Sequence, residues 1–215
     1  MHFFIMGGTG FIGGFLLRYL LEQGHSIEAL SRPGSSLPLE HPDLDRVEGN
    51  ALDAGPWQER AGKAQVVVNL VGSSIMTRWT EDAKERIRKT RFLSTDRAVE
   101  ALGREGGKTF FCANAVGYYG DGGDSTLPEG SPPGEGFLAE VCVEWQSRAE
   151  KAREEGHRVV VGRFAPVLGP GGGVLEQMLP PFKLGVGGKV GSGKQWFPWI
   201  HVLDLVRFVE YAAVH

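Results

Sequence analysis

The sequence predicts an open, doubly wound α/β fold, a parallel sheet with helices on both faces. Three observations predict it. Short apolar runs alternate with helix-like segments of twelve or more residues along most of the 215-residue chain, and parallel strands need crossovers of that kind. The first apolar run leads straight into a glycine-rich turn and then a helical pattern. Glycine is in excess, at 32 residues, with no G-X-Y period that would signal collagen. Such an excess marks tight turns, or backbone that must approach something closely.

In order, His2 to Met6 reads as a short buried strand. Phe11 to Gln23 reads as a helix, with Phe11, Phe15, Leu16, Tyr19 and Leu20 on one face and Gly24 as its stop. Strands are expected at Ser26 to Leu30, Arg46 to Glu48 and Val66 to Val71. Thr80 is a good N-cap for a long helix to Gly103, with Glu81 and Asp82 at the positive end of the helix dipole. Lys108 to Ala113 and Arg158 to Phe164 read as strands, Phe137 to Glu155 and Asp204 to Ala213 as helices. Two loops stand out: the polar stretch Asn114 to Gly136, and Gly169 to Gly193, which holds nine glycines. Long loops in such a domain are usually functional. The expected organisation is a domain over 1–168 and a glycine-rich segment with a final helix over 169–215, packed on that domain.

Composition narrows the function. The formal net charge is −3, without the clustered positive charge a nucleic-acid surface needs. Cys112 and Cys142 are too few for a disulfide framework, and no metal-ligand spacing is present. No run approaches the ~18 apolar residues of a membrane span. The first strand begins at once, leaving no room for a leader peptide, so a soluble cytoplasmic protein is expected. A homodimer is carried as the candidate assembly.

The strongest motif is Gly7-Gly8-Thr9-Gly10-Phe11-Ile12-Gly13. It follows an apolar strand and opens an amphipathic helix, as a dinucleotide fingerprint must. The first glycine makes the turn, the middle one lets a pyrophosphate touch the main chain, and the last lets helix and strand pack closely. The helix N-terminus then offers N–H groups and a positive dipole end. Nineteen positions beyond Gly13 stands Arg32, preceded by Ser31, with no carboxylate before Glu40. An acidic residue there would hold a ribose 2′-hydroxyl. A guanidinium and a hydroxyl suit a 2′-phosphate instead, so NADP(H) is expected over NAD(H). Gly188 to Gln195 nearly matches the spacing of a triphosphate-binding loop, but Gln195 replaces the required Ser/Thr, no strand leads in, and Pro198 disfavours the helix that should follow.

Several further stretches carry a family likeness: NLVGSSI from Asn69, RWTEDAKERIRKTR from Arg78, AVGYYGDGGD from Ala115, SPPGEGFLAEVCVEW from Ser131, and LPPFKLGVGGKVGSGKQWFPWIHVLDLV from Leu179. With GGTGFIG they span nearly the whole chain. Together they resemble the extended short-chain dehydrogenase/reductases, in the epimerase-like branch described as nucleoside-diphosphate-sugar-epimerase-like or cell-division-inhibitor-like. The resemblance implies a Rossmann core with an NADP(H) site. Arg32 would meet the 2′-phosphate, and Asn50, Ala51 and Leu52 would border the adenine. Asn69, Leu70, Val71 and Gly72 would line the ribose side, and Phe164, Ala165, Pro166 and Val167 would lie near the nicotinamide.

The resemblance also implies a Ser/Thr and a Tyr-x-x-x-Lys pair, in which Lys lowers the Tyr pKa for proton transfer. This sequence departs from that pattern. Asn114 stands at the serine position, Gly136 at the tyrosine position and Glu140 at the lysine position. Tyr118 and Tyr119 have no lysine at the right spacing. Glu140 as a base and Asn114 as a donor to a substrate carbonyl are the candidate catalytic residues; the alternative is a surface glutamate and a turn asparagine. Family members also run longer, so a truncated substrate lobe is expected. Two function classes stay open: an NADP(H)-dependent oxidoreductase or epimerase-like enzyme on a small substrate, and a catalytically silent NADP(H)-responsive regulator. His201 and Asp204 read as a turn and helix start. Trp196, Phe197 and Trp199 could wall a ligand pocket, sit in the core, or form a patch. Lys84, Arg86, Arg88, Lys89 and Arg91 read as a solvated helix face.

Overall fold

A computed structural model describes residues 1–189 and 191–215. Val190, inside the glycine-rich stretch that nearly matches a phosphate loop, lies outside the described residues.

The first half of the sheet comprises β1 (His2–Met6), β2 (Ser26–Ser31), β3 (Leu44–Glu48) and β4 (Val66–Asn69), and the second half β5 (Thr109–Ala115) and β6 (Arg158–Phe164). Their spatial order is β3-β2-β1-β4-β5-β6, all parallel. The chain winds outward from β1 through β2 to β3, then crosses back to β4 and winds the other way, so the order reverses between β1 and β4. Ligands in such sheets bind outside the carboxyl ends of the strands at that reversal.

Helices α1 (Phe11–Glu22), α2 (Trp57–Lys63), α3 (Glu81–Leu102), α4 (Phe137–Glu154), α5 (Gly173–Lys183) and α6 (Val202–Val214) complete the fold. Both sheet faces are buried, which is why the central strands read as continuous apolar runs. Phe4, Met6, Val67, Phe110 and Cys112 face α2, α3 and α4, packing with Trp57, Ala98 and Trp145. Phe3, Ile5, Val66, Val68 and Phe111 face the other way, onto Leu16, Leu17 and Leu20 of α1 and Val202, Leu205, Val206 and Val209 of α6. The final helix therefore shares the core of the sheet domain.

Thr80 caps α3, its side chain accepting from the Ala83 N–H, and Gly103 closes that helix at φ 74°. The His201 ring caps α6 by accepting from the Leu203 N–H, as expected for a helix start.

Three readings are corrected and one element is new. β4 stops at Asn69 rather than Val71 because Asn69 Oδ1 accepts from the Val71 N–H, an Asx turn that diverts the chain from the ladder. Asn114 is not in a loop: β5 runs to Ala115, pairing Asn114 with Arg163, and a 3-10 turn follows over Val116–Tyr119. The stretch 169–193 contains α5, whose apolar positions Val174, Leu175, Met178, Leu179 and Phe182 keep a helical period despite Pro180 and Pro181. Finally, the seven-residue α2 is too short to show a period and was not expected.

No described helix is long and apolar enough to cross a membrane.

Candidate functional site

The turn between β1 and α1 is built by its glycines. Gly7 adopts φ 90°, where a side chain is strained, and a Cβ there would lie 3.0 Å from the Leu70 carbonyl carbon. A Cβ on Gly13 would lie 2.2 Å from the Gly7 oxygen, so α1 rests directly on the turn. The Gly10 N–H donates to the Gly7 oxygen. No side chain caps the first turn of α1, which leaves its N–H groups facing outward at the positive end of the dipole.

This turn forms one wall of a cavity of about 540 Å³ at the carboxyl ends of β1, β2 and β4. Gly7, Thr9 and Gly10 come from the turn, and Leu30, Ser31 and Arg32 from the end of β2. Gly49 to Leu52 follow β3, Leu70 to Ser73 follow β4, and Arg86 and Thr90 come from α3. Two residues with guanidinium groups and none with a carboxylate line it among the described residues. A glycine cradle, an uncapped helix start and a positive lining fit a dinucleotide diphosphate.

The structure thus gathers Gly7, Thr9, Gly10, Ser31, Arg32, Asn50, Ala51, Leu52, Leu70, Val71 and Gly72 into one cavity. The remaining expected cofactor residues fall elsewhere. Gly8 and Gly13 act through close packing of turn and helix. Phe11 and Ile12 are half-buried and join the α1 and α6 side of the core. Asn69 is fully buried and turned away: its Nδ2 donates to Ser94 Oγ at 3.1 Å and Thr95 Oγ1 at 3.2 Å. It shapes the 70–72 loop rather than lining the cavity. Phe164 and Ala165 line a separate cavity of about 690 Å³, with Tyr119, Gln146 and Arg163. The Pro166 carbonyl accepts from the Ile200 N–H, and Val167 enters the small ladder of β7 (Val167–Leu168) with β8 (Ile200–His201). The physical reason is the strand order: β6 lies two strands beyond β4.

Sequence reasoning missed Leu30, Gly49, Ser73, Arg86 and Thr90. The signal was available in part, since positions 86 and 90 share a helix face at i, i+4. The Ser73 N–H donates to Thr90 Oγ1 at 3.1 Å, joining the loop after β4 to α3. The expected solvated basic face of α3 holds for Arg86 and Lys89, which are exposed, and is corrected for Arg88 and Arg91. Arg88 sits 4.8 Å from the centre of the Phe137 ring. Arg91 is packed 5.2 Å from that of Trp145 and donates to the Ser73 and Ile87 carbonyls. Burial pulls the Arg91 guanidinium below its ordinary pKa. These residues fasten α3 to α4 and to the cavity loop.

At the candidate catalytic positions, Asn114 is buried, donating from Nδ2 to the Cys142 carbonyl at 2.9 Å and accepting at Oδ1 from the Ala115 N–H at 2.7 Å. Its amide holds β5 to α4. Glu140 is exposed in the first turn of α4. Tyr119 has a cationic partner that sequence spacing did not reveal: Arg163 Nη1 donates to its hydroxyl at 2.6 Å, and the same guanidinium lies 3.7 Å from the centre of the Tyr118 ring. Both cysteines are buried and unpaired. Burial pushes the Cys112 thiol up to about 12, against weaker lowering by Thr95 and Trp145, and raises Cys142. Trp196, Phe197 and Trp199 are all exposed. Trp199 lines the second cavity, and Trp196 Nε1 donates to Asp124 Oδ1. Among the described residues no group of three or more His, Cys, Asp or Glu is placed to hold a metal ion.

Strand order, glycine turn and cavity define a dinucleotide-binding Rossmann protein. Residues 3–215 match the model of the NAD dependent epimerase/dehydratase family, and the chain belongs to that family, in the epimerase-like branch of the extended short-chain dehydrogenase/reductases. It is 37% identical over 212 residues to the Arabidopsis thaliana "Epimerase family protein SDR39U1 homolog, chloroplastic", covering 97% of this chain and 61% of that protein. It is also 37% identical over 216 residues to Bacillus subtilis YfhF, covering 99% of this chain and 70% of that one. The human epimerase family protein SDR39U1 (isoform 2), solved with NADPH, superposes with a TM-score of 0.79 at 31% identity, over 99% of this chain and 70% of that one. A nucleoside-diphosphate sugar epimerase from Corynebacterium glutamicum superposes with a TM-score of 0.81 at 32% identity, over all of this chain and 43% of that one.

Proposed function

We propose that this protein binds NADP(H) in the cavity at the ends of β1, β2 and β4, and acts as an oxidoreductase or epimerase-like enzyme on a small carbonyl or nucleotide-sugar substrate. The observation that carries the reading is the placement of Arg32 and Ser31 beside the glycine turn, in a cavity that no carboxylate lines among the described residues. A carboxylate there would accept from a ribose 2′-hydroxyl and repel a 2′-phosphate. The human relative's structure with NADPH supports the same choice.

The residues divide the work. The turn and the α1 N-terminus hold the diphosphate; Arg32 and Ser31 hold the 2′-phosphate; Asn50 to Leu52 border the adenine; Leu70 to Gly72 run beside the ribose. When bound, the nicotinamide supplies hydride chemistry. Glu140 is the proposed base, exposed in the first turn of α4. A cytoplasmic location is part of this proposal, supported by two unpaired thiols, as is assembly as a homodimer.

A second reading, a catalytically silent NADP(H)-responsive regulator, is favoured by one observation: Asn114 is buried and its amide is engaged with backbone at both Nδ2 and Oδ1, which ties it to the fold.

Titration with NADPH and NADH, run beside NADPH oxidation over a panel of carbonyl and nucleotide-sugar compounds, tests both. Tighter binding of NADPH with turnover that Glu140→Gln abolishes supports the enzyme. Tight NADPH binding with no turnover on any compound favours the regulator. Absence of binding by either dinucleotide removes both.

A further inference from the structure

We infer that Arg46, on the edge strand β3, is a positioning residue that makes Ser31 a hydrogen-bond donor to the 2′-phosphate. The inference rests on the NADP(H) reading above and goes beyond the cavity lining, which does not include Arg46.

The register places the residues. β2 and β3 run parallel with Ala29 opposite Arg46 and Ser31 opposite Glu48. Side chains alternate along a strand, so these four share one face of the sheet. It is the face of α1, where Ala29 joins the core. Arg46 Nε donates to Ser31 Oγ at 2.7 Å, and its Nη2 donates to Glu48 Oε2 at 2.9 Å and reaches the Arg32 carbonyl at 3.4 Å. One guanidinium thus grips the two residues expected to read the phosphate and the carboxylate beside them.

The chemistry follows from donor and acceptor counts. A guanidinium has donors only, and a serine hydroxyl has one proton and two lone pairs. Arg46 therefore occupies a lone pair of Ser31, and the serine proton is left to donate. Ser31 is only 3% exposed, yet it lines the cavity, so its proton has the cavity as its outlet. Phosphate oxygens accept such a bond, charge-assisted and backed by the guanidinium behind the serine. Glu48 is the counter-ion in this arrangement. It orients the guanidinium but also offsets its charge, so a neutral residue at position 48 strengthens the pull on a phosphate.

A purely structural role, stapling β3 to β2, would weaken both dinucleotides together. The test is therefore a ratio. Dissociation constants for NADPH and NADH are measured by calorimetry for the wild type, Arg46→Gln, Arg46→Lys, Ser31→Ala and Glu48→Gln, at an ionic strength of about 20 mM to limit screening. Arg46→Gln should lower the preference for NADPH about tenfold, the loss of one charge-assisted interaction. Arg46→Lys should recover part of it, and Glu48→Gln should raise it. Ser31→Ala, which leaves the Arg46–Glu48 pair in place, should lower it comparably and serves if Arg46→Gln does not fold. A wild type that prefers NADPH, with the ratio unchanged in a folded Arg46→Gln, would overturn the inference and leave the NADP(H) reading standing. If Arg46→Gln does not fold, an unchanged ratio in Ser31→Ala overturns it alone. A wild type that binds NADH as tightly as NADPH overturns both.

Discussion

Two adjacent glycines in α1 should respond to the same substitution with opposite signs. At Gly13 a Cβ would stand 2.2 Å from the Gly7 oxygen and 2.7 Å from the Gly8 Cα, both backbone atoms that cannot swing away. At Gly14 the nearest atom is Pro38 Cγ at 3.6 Å, an ordinary contact. Gly13→Ala must therefore open the gap between α1 and the turn by roughly 1 Å to restore normal packing. Leu16, Leu17 and Leu20 are fully buried on that helix, so the shift strains the core at a cost of about 1–3 kcal/mol. A phosphate–amide hydrogen bond of about 2.9 Å stretched by that distance is no longer a hydrogen bond. Its loss weakens NADPH by about tenfold or more, since a bond to a charged group contributes about 1.5–3 kcal/mol. Gly14→Ala, inside the helix and unobstructed, should stabilise the fold by about 0.5–1 kcal/mol through reduced freedom of the unfolded chain and leave NADPH affinity alone. Urea unfolding and NADPH titration of the two variants measure both quantities. Equal stability changes at the two positions, or a Gly13→Ala protein with wild-type affinity, would refute the close-packing argument.

Three further outcomes are expected. Arg32→Glu should weaken NADPH at least about tenfold more than NADH, because it replaces a charge-assisted contact with repulsion; equal loss by calorimetry would remove Arg32 from the phosphate site. Asn69→Ala should destabilise the fold by about 2–4 kcal/mol in urea melts, since it strips partners from Ser94, Thr95 and the Val71 N–H; a loss under half a kcal/mol would contradict its buried role. Stability should fall as pH rises above about 9, because the unfolded thiols ionise there while burial keeps Cys112 neutral up to about 12. Below that range the folded and unfolded thiols are both protonated and the contribution is fully present. Cys112→Ala should therefore flatten the decline of the urea midpoint between pH 8 and 10, and an unchanged slope would count against burial as the cause.

Much of this fold was legible because local patterns and the sheet demanded the same residues. The apolar runs at His2–Met6 and Val66–Asn69 admit no solvent-facing side, and both are buried on two faces. The glycine turn was legible because backbone geometry and close packing restrict residue type at those positions. Arg32 follows from it by spacing. α5 was hidden because glycine and proline around it obscured a helical period. Asn114 was misplaced because a strand's last residues are settled by pairing with a neighbour, here Arg163, and not by local composition.

By itself the sequence determined the six strands of the main sheet, the helices α1, α3, α4 and α6, the glycine turn and the basic residue after β2, all of which follow from short-range spacing. The tertiary structure alone decided which of these residues meet. It turned Asn69 inward, sent Phe164 and Ala165 to another cavity, brought Arg86 and Thr90 to the first, and set Arg163 on Tyr119 and Arg46 on Ser31. The physical reason is that those contacts cross between strands and helices far apart in the chain, where the pairing register and the direction of each side chain are fixed by packing and leave no trace in residue spacing.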